Sequence, residues 1–400
     1  MRLDTPERLH ARFDALTALL RRQRPLWGPR PFVQLPVSWE AGFPEVAAWL
    51  DAAEAEVGFA DAPPTLRAWA EEAEALGALP PLSVREAAPL PLRATRGVPG
   101  RKLSQIEHFA AATLAAWPPD ATTVVDWCAG KGHLGRGLCH HTGAALRALE
   151  WDPALAAQGE ARCAAEGVRA DFRCLDARTP EAGALLEPAQ QVVALHACGD
   201  LHAALLRAAV SRPVAGLALA PCCYNRAAPD RGHALSAAGR AADLPLDGDD
   251  LDLIHRDDVV ARDVERRRAH QTRAWRLGFD LLQRALSGHD AYRTMAPFPV
   301  SWLALSFPEF CGRFATLGGV HLPEEVEVAP YEAAGWARFE AVRRRDRVRN
   351  LFRAPLEAWL VLDRALLLVE HGFEVEVGTF CPRTVTPRNA MIRAQSPHGR

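Results

Sequence analysis

Short runs of β-forming residues alternate with helical runs through the middle of the chain, and this alternation constrains the fold more than any other feature of the sequence. The β-forming runs occupy 122–127, 145–150, 170–176, 191–196 and 214–220. Segments with helical spacing of apolar residues, such as "DPALAAQGEARCAAEG", separate them. Because strands joined through helices lie parallel, the pattern predicts an α/β fold with a mostly parallel sheet and helices on both faces.

The flanking segments predict two domains. Residues 1–95 carry apolar residues at three- and four-residue spacing and end in a linker with proline and glycine, which predicts an N-terminal helical domain. Residues 96–400 are the predicted α/β domain, interrupted by a mixed insertion at about 226–340. Two further β-forming runs near the C-terminus, "FEVEVGTF" and "NAMIRA", bring the predicted sheet to seven strands.

A glycine motif follows the first predicted strand, in the stretch "VVDWCAGKGHLG" at 124–135. Gly130, Gly132 and Gly135 form the pattern GxGxxG. In open α/β sheets ligands bind beyond the carboxyl ends of the strands, where glycines let a ligand approach the backbone and the amides of the next helix attract an anionic group. The motif predicts a nucleotide cofactor and does not by itself say which one.

Asp126, at the end of the same strand, distinguishes two cofactors. NAD(P) would place its pyrophosphate there, whereas S-adenosylmethionine (SAM) would place its methionine end there, with a positive ammonium and sulfonium. A carboxylate attracts the second and repels the first, so Asp126 favours SAM. Glu150 is placed to accept the ribose hydroxyls and Asp176 to reach the adenine amine. An NAD(P)-dependent oxidoreductase and a non-catalytic SAM-binding or scaffold protein are the alternatives.

Four segments together resemble the class I SAM-dependent methyltransferases of the domain-32 type, which include the methyltransferase-like protein 25 group. They are "DWCAGKGHLGRGL", "LHACGDL", "PCCYN" and "LVLDRALLLVEHGFEVEVGTFCPRTVTPRN". The resemblance implies a Rossmann-like seven-strand sheet, methyltransferase activity and SAM as cofactor. The predicted cofactor-binding residues are Asp126, Cys128, Gly130, Lys131, Gly132, Glu150, Asp176 and His196. Cys128 departs from the family pattern, since it stands where the first glycine of the loop is usual.

The fourth and fifth predicted strands end in "HACGD" and "PCCYN", which this fold would place beside the methyl donor. His196 is a candidate general base, because an imidazole ordinarily titrates near neutral pH. Asp200 is the candidate that orients His196 or the substrate, and Tyr224 is the third predicted catalytic residue. A purely structural role is the alternative, with His196 bonding a loop and Asp200 capping a helix.

The same edge of the predicted sheet gathers thiols and an imidazole, which are ligands of zinc and of iron–sulfur clusters. These residues are Cys128, His196, Cys198, Cys222 and Cys223. The sequence contains no CxxC spacing among them, and adjacent cysteines do not easily share one tetrahedral ion, so we predict no metal. The predicted substrate-facing residues are Lys102, Cys222, Cys223, Arg388 and Asn389. Lys102 and Lys131 stand out because every other residue of the 47 basic ones is arginine.

An arginine run at 338–353, "RFEAVRRRDRVRNLFR", includes Phe339 and Phe352. Such a run suits phosphate contacts and base stacking, so RNA is the favoured acceptor and partner. A solvated helix face is an equal alternative in so arginine-rich a chain. Domain-32 proteins also resemble, distantly, a tRNA ribose methyltransferase family. The formal net charge of −2 creates no general field for nucleic acid or membranes.

The termini and the apolar segments predict a cytoplasmic protein. The N-terminus is charged from its second residue and lacks the apolar core of a signal peptide. No stretch reaches the roughly 20 apolar residues of a membrane helix. The nine cysteines are therefore predicted to be reduced thiols. We expect no membrane association and no obligate protein partner.

Overall fold

A computed structural model describes residues 2–53, 58–86, 88–212, 214–228, 233–255 and 263–396. The chain separates into two compact units. Unit 1 comprises Met1–Arg21, Leu76–Asp257 and Ala354–Arg400, and unit 2 comprises Arg22–Ala75 and Asp258–Arg353. Unit 2 thus combines residues from the predicted N-terminal domain with residues from the predicted insertion. Our predicted boundaries, at 95 and at about 226–340, instead divided the chain into consecutive segments.

The strands of the described residues are β1 (Thr123–Trp127), β2 (Ala145–Glu150), β3 (Ala170–Cys174), β4 (Gln190–Cys198), β5 (Gly216–Cys222), β6 (Glu374–Thr379) and β7 (Ala390–Gln395). The helices up to β5 are α1 (Pro6–Arg22), α2 (Arg24–Trp27), α3 (Pro44–Ala52), α4 (Pro64–Gly77), α5 (Leu92–Thr95), α6 (Gly100–Leu114), α7 (His133–Thr142), α8 (Pro153–Glu166), α9 (Pro180–Gly183) and α10 (Asp200–Ser211). Those after β5 are α11 (Ala237–Ala241), α12 (Gly248–His255), α13 (Asp263–Ser287), α14 (Phe307–Gly318), α15 (Pro330–Asn350) and α16 (Arg353–Glu370). None of these described helices is both long and apolar enough to cross a bilayer.

The seven strands form one sheet in the order β3-β2-β1-β4-β5-β7-β6. Strands β1 to β5 pair in parallel, and β7 runs antiparallel to both β5 and β6. Helices α7, α8 and α10 connect successive parallel strands, as such connections require. The predicted seven-strand class I fold is confirmed, and all seven β-forming runs of the sequence are strands.

The central strands are apolar because they are covered on both sides. Val124 and Val125 of β1 are fully buried, and every residue of β5 is buried. This burial is the normal state of parallel strands and explains why their sequences are nearly continuous apolar runs. The strand order reverses direction between β1 and β4, which creates a crevice at their carboxyl ends.

The N-terminal segment completes the edge of the sheet in unit 1. The backbone amide of Val377 in β6 donates to the carbonyl of Leu3 at 2.9 Å, and that of Thr379 donates to the carbonyl of Pro80 at 2.8 Å. The amide of Leu82 in turn donates to the carbonyl of Thr379 at 3.0 Å. These bonds cover backbone groups that an edge strand would otherwise expose.

Unit 2 is helical and has its own aromatic core. Its rings pack edge-on and face-on around α13 and α14, with Phe279 and Phe314 at 4.9 Å between centroids. Other rings of this core are Trp275, Phe298, Phe307 and Phe310. Helix α15 packs on α13 and carries most of the arginine run.

A buried carboxylate fixes the segment after β5 to helix α16 in unit 1. Asp363 has no exposed surface. It accepts hydrogen bonds from the backbone amides of Leu235 and Ser236 and from the Ser236 hydroxyl, at 2.7 to 3.0 Å. It also pairs with Arg364 at 2.9 Å. One side chain therefore satisfies three donors and one buried cation.

We expect Asp363→Ala to lower the free energy of unfolding by about 3–5 kcal/mol, because it leaves buried donors and the Arg364 charge without their acceptor. Urea denaturation followed by circular dichroism measures this. Asp120→Ala is the control: Asp120 is exposed, so its removal changes the same quantity by about 0.5 kcal/mol or less. Equal stabilities of the two variants would contradict the role given to Asp363.

Candidate active site

A cavity of about 530 Å3 opens where β1 to β4 end. Its volume is in the range of small-molecule and cofactor sites. It is lined by Cys128, Gly130, Leu149, Glu150, Trp151, Leu155, Leu175, Asp176, Ala177, Arg178, Cys198, Asp200, Leu201 and Arg226. Five of the predicted site residues therefore line one cavity: Cys128, Gly130, Glu150, Asp176 and Asp200.

The loop after β1 takes a conformation that glycine adopts most easily. Cys128, Gly130 and Gly132 have φ values of 66°, 58° and 65°. A β-carbon added to Gly130 would meet no protein atom within 4 Å, so its backbone is open to a ligand. Cys128 occupies a left-handed position at a steric cost that a glycine would avoid. The departure of Cys128 from the family pattern thus leaves the glycine-like turn in place.

Asp126 shapes this loop from beneath rather than lining the cavity. Its side chain is buried, and Oδ2 accepts a hydrogen bond from the Gly135 amide at 2.9 Å. A β-carbon on Gly135 would lie 2.4 Å from Leu146 and 3.0 Å from the β-carbon of Asp126, so only glycine lets α7 begin this close to the sheet. Burial raises the pKa of Asp126 to about 6, although the Gly135 hydrogen bond and the Lys102 charge oppose that rise.

Glu150, at the end of β2, ties the two loops of the cavity together. Its Oε2 accepts from the Gly130 amide at 2.7 Å and its Oε1 accepts from the Asp152 amide at 3.0 Å. Each carboxylate oxygen has a second lone pair, so both remain able to accept from a ligand hydroxyl. Lys131 lies between the two glycines of the loop and is half-buried.

Two of the cavity residues that were not among the predicted site residues, Arg178 and Trp151, have contacts or exposure of note. Arg178 pairs with Asp176 through both carboxylate oxygens, at 2.7 to 3.1 Å, and this pairing lowers the pKa of Asp176. Trp151 is 75% exposed, an unusual state for so large an apolar side chain. An indole at the mouth of the cavity offers a flat surface to a purine base. The only sequence signal for either was its position one or two residues after a predicted strand-end acid.

His196 projects from an irregularity in β4. The register between β4 and β5 shifts between Leu195 and Ala197, and His196 has a φ of 62°. Bulges of this kind commonly aim a side chain near active sites. The Nε2 of His196 lies 3.2 Å from Oε1 of Gln105 on α6, a contact that the sequence did not reveal.

The other ring nitrogen of His196, Nδ1, is buried and has no hydrogen-bond partner among the described residues. Burial, together with the charges of Arg388 and Lys102, lowers the pKa of His196 to about 4. At neutral pH the ring is therefore uncharged. With Nε2 protonated toward Gln105, Nδ1 is an acceptor for a proton or a substrate donor.

The other two predicted catalytic residues do not bond to His196 in the described part of the chain. Asp200 accepts from the Ala228 amide at 3.1 Å through Oδ2 and so holds the segment after β5. Tyr224 is fully buried against His202 and the Arg364 guanidinium, with ring distances of 5.5 and 5.3 Å. Burial raises the pKa of Tyr224 well above its usual value. The sequence placed Tyr224 at the rim because it follows β5, but the turn at Cys223 directs it inward.

Three cysteines lie beside the cavity at the ends of β4 and β5. The sulfur atoms of Cys198, Cys222 and Cys223 all lie within 4.8 Å of one another. Hydrogen bonds from the other two thiols, with the charges of His255 and Arg388, lower the pKa of Cys223. Cys128 is different: burial, together with Asp126 and Glu150, raises its pKa to about 12, so it is a neutral thiol.

The remaining predicted substrate residues divide into two kinds. Lys102 is exposed in the first turn of α6, and Arg388 lies 3.4 Å from Nδ1 of His255; their charges reach Asp126 and His196. Asn389 instead donates to the Cys381 carbonyl at 2.6 Å and so fixes the chain before β7. The structure therefore brings Lys102 and Arg388 to the site, while Asn389 has a structural contact.

Residues 101–229 match the sequence pattern of a family described as a methyltransferase domain. This confirms the predicted resemblance to methyltransferases of the domain-32 type, whereas the finer likeness to the methyltransferase-like protein 25 group stays a prediction. The match shows similarity to a methyltransferase domain over these residues, which supports the expected methyl transfer and the expected cofactor, SAM. A search of curated proteins found no match.

Several solved structures are similar over part of the chain. An O-methyltransferase family protein from Burkholderia thailandensis is 11% identical with a TM-score of 0.31, over 74% of this chain and 57% of that one. SAM-bound CalS10, an amino pentose methyltransferase from Micromonospora echinaspora, is 23% identical with a TM-score of 0.25, over 34% and 59%. TehB from Haemophilus influenzae is 13% identical with a TM-score of 0.23, over 27% and 38%. The chain spans less than two thirds of each.

The residues at the cavity fit SAM. The open backbone at Gly130 suits the close approach of the methionine end, and Asp126 supplies a carboxylate beneath the same loop. Glu150 retains acceptor capacity for ribose hydroxyls, and Trp151 offers its indole to the adenine. Because two acids, Asp126 of β1 and Glu150 of β2, lie against this loop, it does not suit the pyrophosphate of NAD(P), the alternative left open by the glycine motif.

We expect the affinity for S-adenosylhomocysteine, which keeps the ammonium, to rise as the pH increases from 5 to 7. Asp126 loses its proton near pH 6, and the ionised form attracts the ammonium; below that pKa affinity falls by up to about tenfold per pH unit. His133 and His196 do not titrate in this window, because both have pKa values lowered to about 4.

Isothermal titration calorimetry at several pH values measures this dependence. The matched control is Asp126→Asn, which keeps the size of the side chain and removes its titration. The variant should bind more weakly and show a flat profile. If the native protein and the Asp126→Asn variant showed the same pH dependence, Asp126 would have no role in cofactor binding.

We expect Glu150→Ala to weaken S-adenosylhomocysteine binding about 100-fold or more. Hydrogen bonds to a charged acceptor contribute about 1.5–3 kcal/mol each, and Glu150 offers one to each ribose hydroxyl. The control is Glu187→Ala, since Glu187 is exposed and pairs with Arg147. Equilibrium dialysis with labelled ligand compares the two. Unchanged affinity in Glu150→Ala would place the ribose elsewhere.

Proposed function

We propose that this protein transfers a methyl group from SAM to an acceptor in RNA. Three cationic side chains, one in the cavity and two whose charges act on site residues, carry the proposal. Arg226 lines the cavity, and the charges of Lys102 and Arg388 act on the site residues Asp126 and His196. A cytoplasmic location, expected from the sequence, stays part of this proposal.

Three acids of the site and two of its cations lie on opposite sides of β4, whereas Arg178 and Lys131 lie on the side of the acids. The acids Asp126, Glu150 and Asp176 lie at the loops that follow β1, β2 and β3. The cations Arg226 and Arg388 belong to segments after β5 and before β7, on the other side of β4 in the strand order. This separation suits a cofactor with a cationic methionine end and an acceptor that is anionic. A polyanion such as RNA is recognised mainly through its phosphates.

The arginine run at 338–353 does not support the proposal, although it first suggested RNA. All seven of its arginines are buried or half-buried. Arg345 pairs with Glu40 and Asp51, and Arg349 donates to the Trp27 carbonyl at 2.7 Å. Phe339 and Phe352 have no exposed surface, so neither ring can stack on a base. The run stabilises unit 2.

The chemistry needs little from the protein beyond alignment and proton transfer. SAM, when bound, supplies a methyl group already activated by the positive sulfonium. His196 holds an uncharged ring with a buried, unpartnered Nδ1, two residues before the cavity-lining Cys198 on β4, and Gln105 fixes its orientation. Such an imidazole orients an acceptor group and takes up its proton. Its lowered pKa makes it a weak base, which suits an acceptor that is itself nucleophilic.

Tritium-labelled SAM tests the acceptor class. The purified protein is incubated with extract from a strain that lacks the gene, and the labelled product is digested separately with ribonuclease and protease. Label released by ribonuclease supports the proposal. Label released by protease, or label only in small molecules, overturns the RNA acceptor and leaves methyl transfer intact. Absence of any label, with cofactor binding shown, favours the non-catalytic SAM-binding protein.

We expect the double variant Lys102→Gln, Arg388→Gln to bind RNA more weakly than the native protein. Each cation–phosphate pair that the substitutions remove should make the salt dependence of affinity shallower by about 0.7 in log–log slope for a single strand. Arg343→Gln is the matched control, because Arg343 pairs with Glu340 in the arginine run. Filter binding over a range of salt concentrations measures both. If Arg343→Gln weakened RNA binding more than the double variant does, the RNA-binding surface would lie on unit 2 and not at the cavity.

A further inference from the structure

We propose that Cys198, Cys222 and Cys223 form a binding site for one Zn2+ ion at the rim of the cofactor cavity. The inference goes beyond the proposed methyl transfer and does not depend on the identity of the acceptor. It depends on the positions of three sulfur atoms, on the backbone that places them there and on the charges around them.

The distances between the sulfur atoms suit a shared ion. The three sulfurs lie within 4.8 Å of one another, and those of Cys198 and Cys222 are 3.5 Å apart. Zn2+ binds thiolate sulfur at about 2.3 Å, so two sulfurs on one tetrahedral ion are about 3.8 Å apart. The Cys198–Cys222 separation is close to that value and no pair of the three exceeds 4.8 Å, so small side-chain rotations bring all three sulfurs to one ion.

The sheet and a strained turn together create this arrangement. Cys198 and Cys222 are direct partners on the neighbouring strands β4 and β5. Cys223 has φ 50° and ψ 47°, a left-handed conformation that is strained for any residue other than glycine. The sequence argument against a metal was that adjacent cysteines do not easily share one ion. The left-handed turn removes that obstacle, because it brings the Cys223 sulfur back to its neighbour's side.

The surrounding charges favour an anionic cluster. Three thiolates and one Zn2+ carry a net charge of −1. Arg226 lies close enough to Cys198, and Arg388 to Cys223, for their positive charges to act on the sulfurs. Three protein ligands are typical of zinc sites that leave a fourth position to water or to a substrate group. Since Cys198 also lines the cofactor cavity, that position is next to the reaction site.

The test uses the full-length, untagged protein after reduction and removal of metal with a chelator. Zn2+ is then titrated against a competing colorimetric chelator, and bound metal is quantified after dialysis. We expect one tightly bound ion per chain. Co2+ in place of Zn2+ should give the near-ultraviolet absorption of sulfur-to-cobalt charge transfer, which reports thiolate ligands directly.

Single variants assign the ligands. Cys198→Ser and Cys222→Ser should each lower Zn2+ affinity by more than about 100-fold, since even residues that only support a ligand affect affinity by about 10–100-fold. Cys222 is buried, so the Cys222→Ser variant could fail to fold for reasons unrelated to metal. Cys198 is half-buried, so Cys198→Ser tests the same site with less disturbance of the core. Cys174→Ser is the control: this exposed cysteine lies outside the trio and should leave affinity unchanged. Circular dichroism confirms that each variant is folded.

Three results would overturn the proposal. One is reduced protein that binds no Zn2+ above the competing chelator. Another is binding that persists in both Cys198→Ser and Cys222→Ser. The third is a Cys198–Cys222 disulfide, found by mass spectrometry without reductant, in a protein that takes up no metal once reduced; it would make the pair a redox element instead. None of these outcomes depends on methyltransferase activity, so the two proposals fail or stand separately.

Discussion

The hydrogen bond between the buried carboxylate of Asp126 and the Gly135 amide is the interaction on which the cavity depends. A buried carboxylate is costly unless donors or cations compensate it, and the raised pKa of Asp126 shows that the Gly135 donor and the Lys102 charge compensate its burial only in part. Gly135 can approach only because it lacks a side chain, and its approach fixes where α7 begins. The position of α7 then sets the turn at 128–132, and Glu150 holds that turn from β2. A bound cation at this point would complete the electrostatic compensation of Asp126.

Backbone strain is concentrated at the same edge of the sheet. Four described residues other than glycine have left-handed φ values, and three of them lie near the carboxyl ends of strands: Cys128 directly after β1, His196 two residues before the end of β4, and Cys223 directly after β5. Each position costs free energy that the buried strands beneath it must overcome. A fold that only needed to be stable would place glycine at these sites. Their side chains are a thiol, an imidazole and a thiol, groups whose chemistry gives a reason for retaining them.

The sequence predicted the strands well because their signal is local. Alternating runs and glycines mark each strand and turn, so the seven strands and the acids Glu150 and Asp176 could be placed from residue order alone. Interactions between distant segments were missed for the opposite reason. Gln105 reaches His196 from 91 residues away, and Arg178 pairs with Asp176 through a rotamer that no periodicity encodes.

The arginine run shows that composition alone does not identify the partners of charged residues. Its charge and aromatic rings suggested a nucleic-acid surface, but Arg345 finds Glu40 and Asp51 about 300 residues earlier in the chain. A helix rich in arginine has the same sequence whether its partners are phosphates or the carboxylates of its own protein. Only the tertiary structure separates the two cases, because the partner carboxylates are contributed by elements remote in sequence.

The strand order separates the parts of the site chemically. The acid-bearing loops follow β1, β2 and β3 on one side, and β5 with β7 lies on the other side of β4. The imidazole of His196 and the sulfur of Cys198 belong to β4, between these two groups. The acids suit a cationic cofactor and the cations an anionic acceptor, and each group would repel the other's ligand. The sheet topology therefore sets which side of the cavity suits the cofactor and which side suits the acceptor. An ion bound by Cys198, Cys222 and Cys223 would lie between the two sides and act on both ligands.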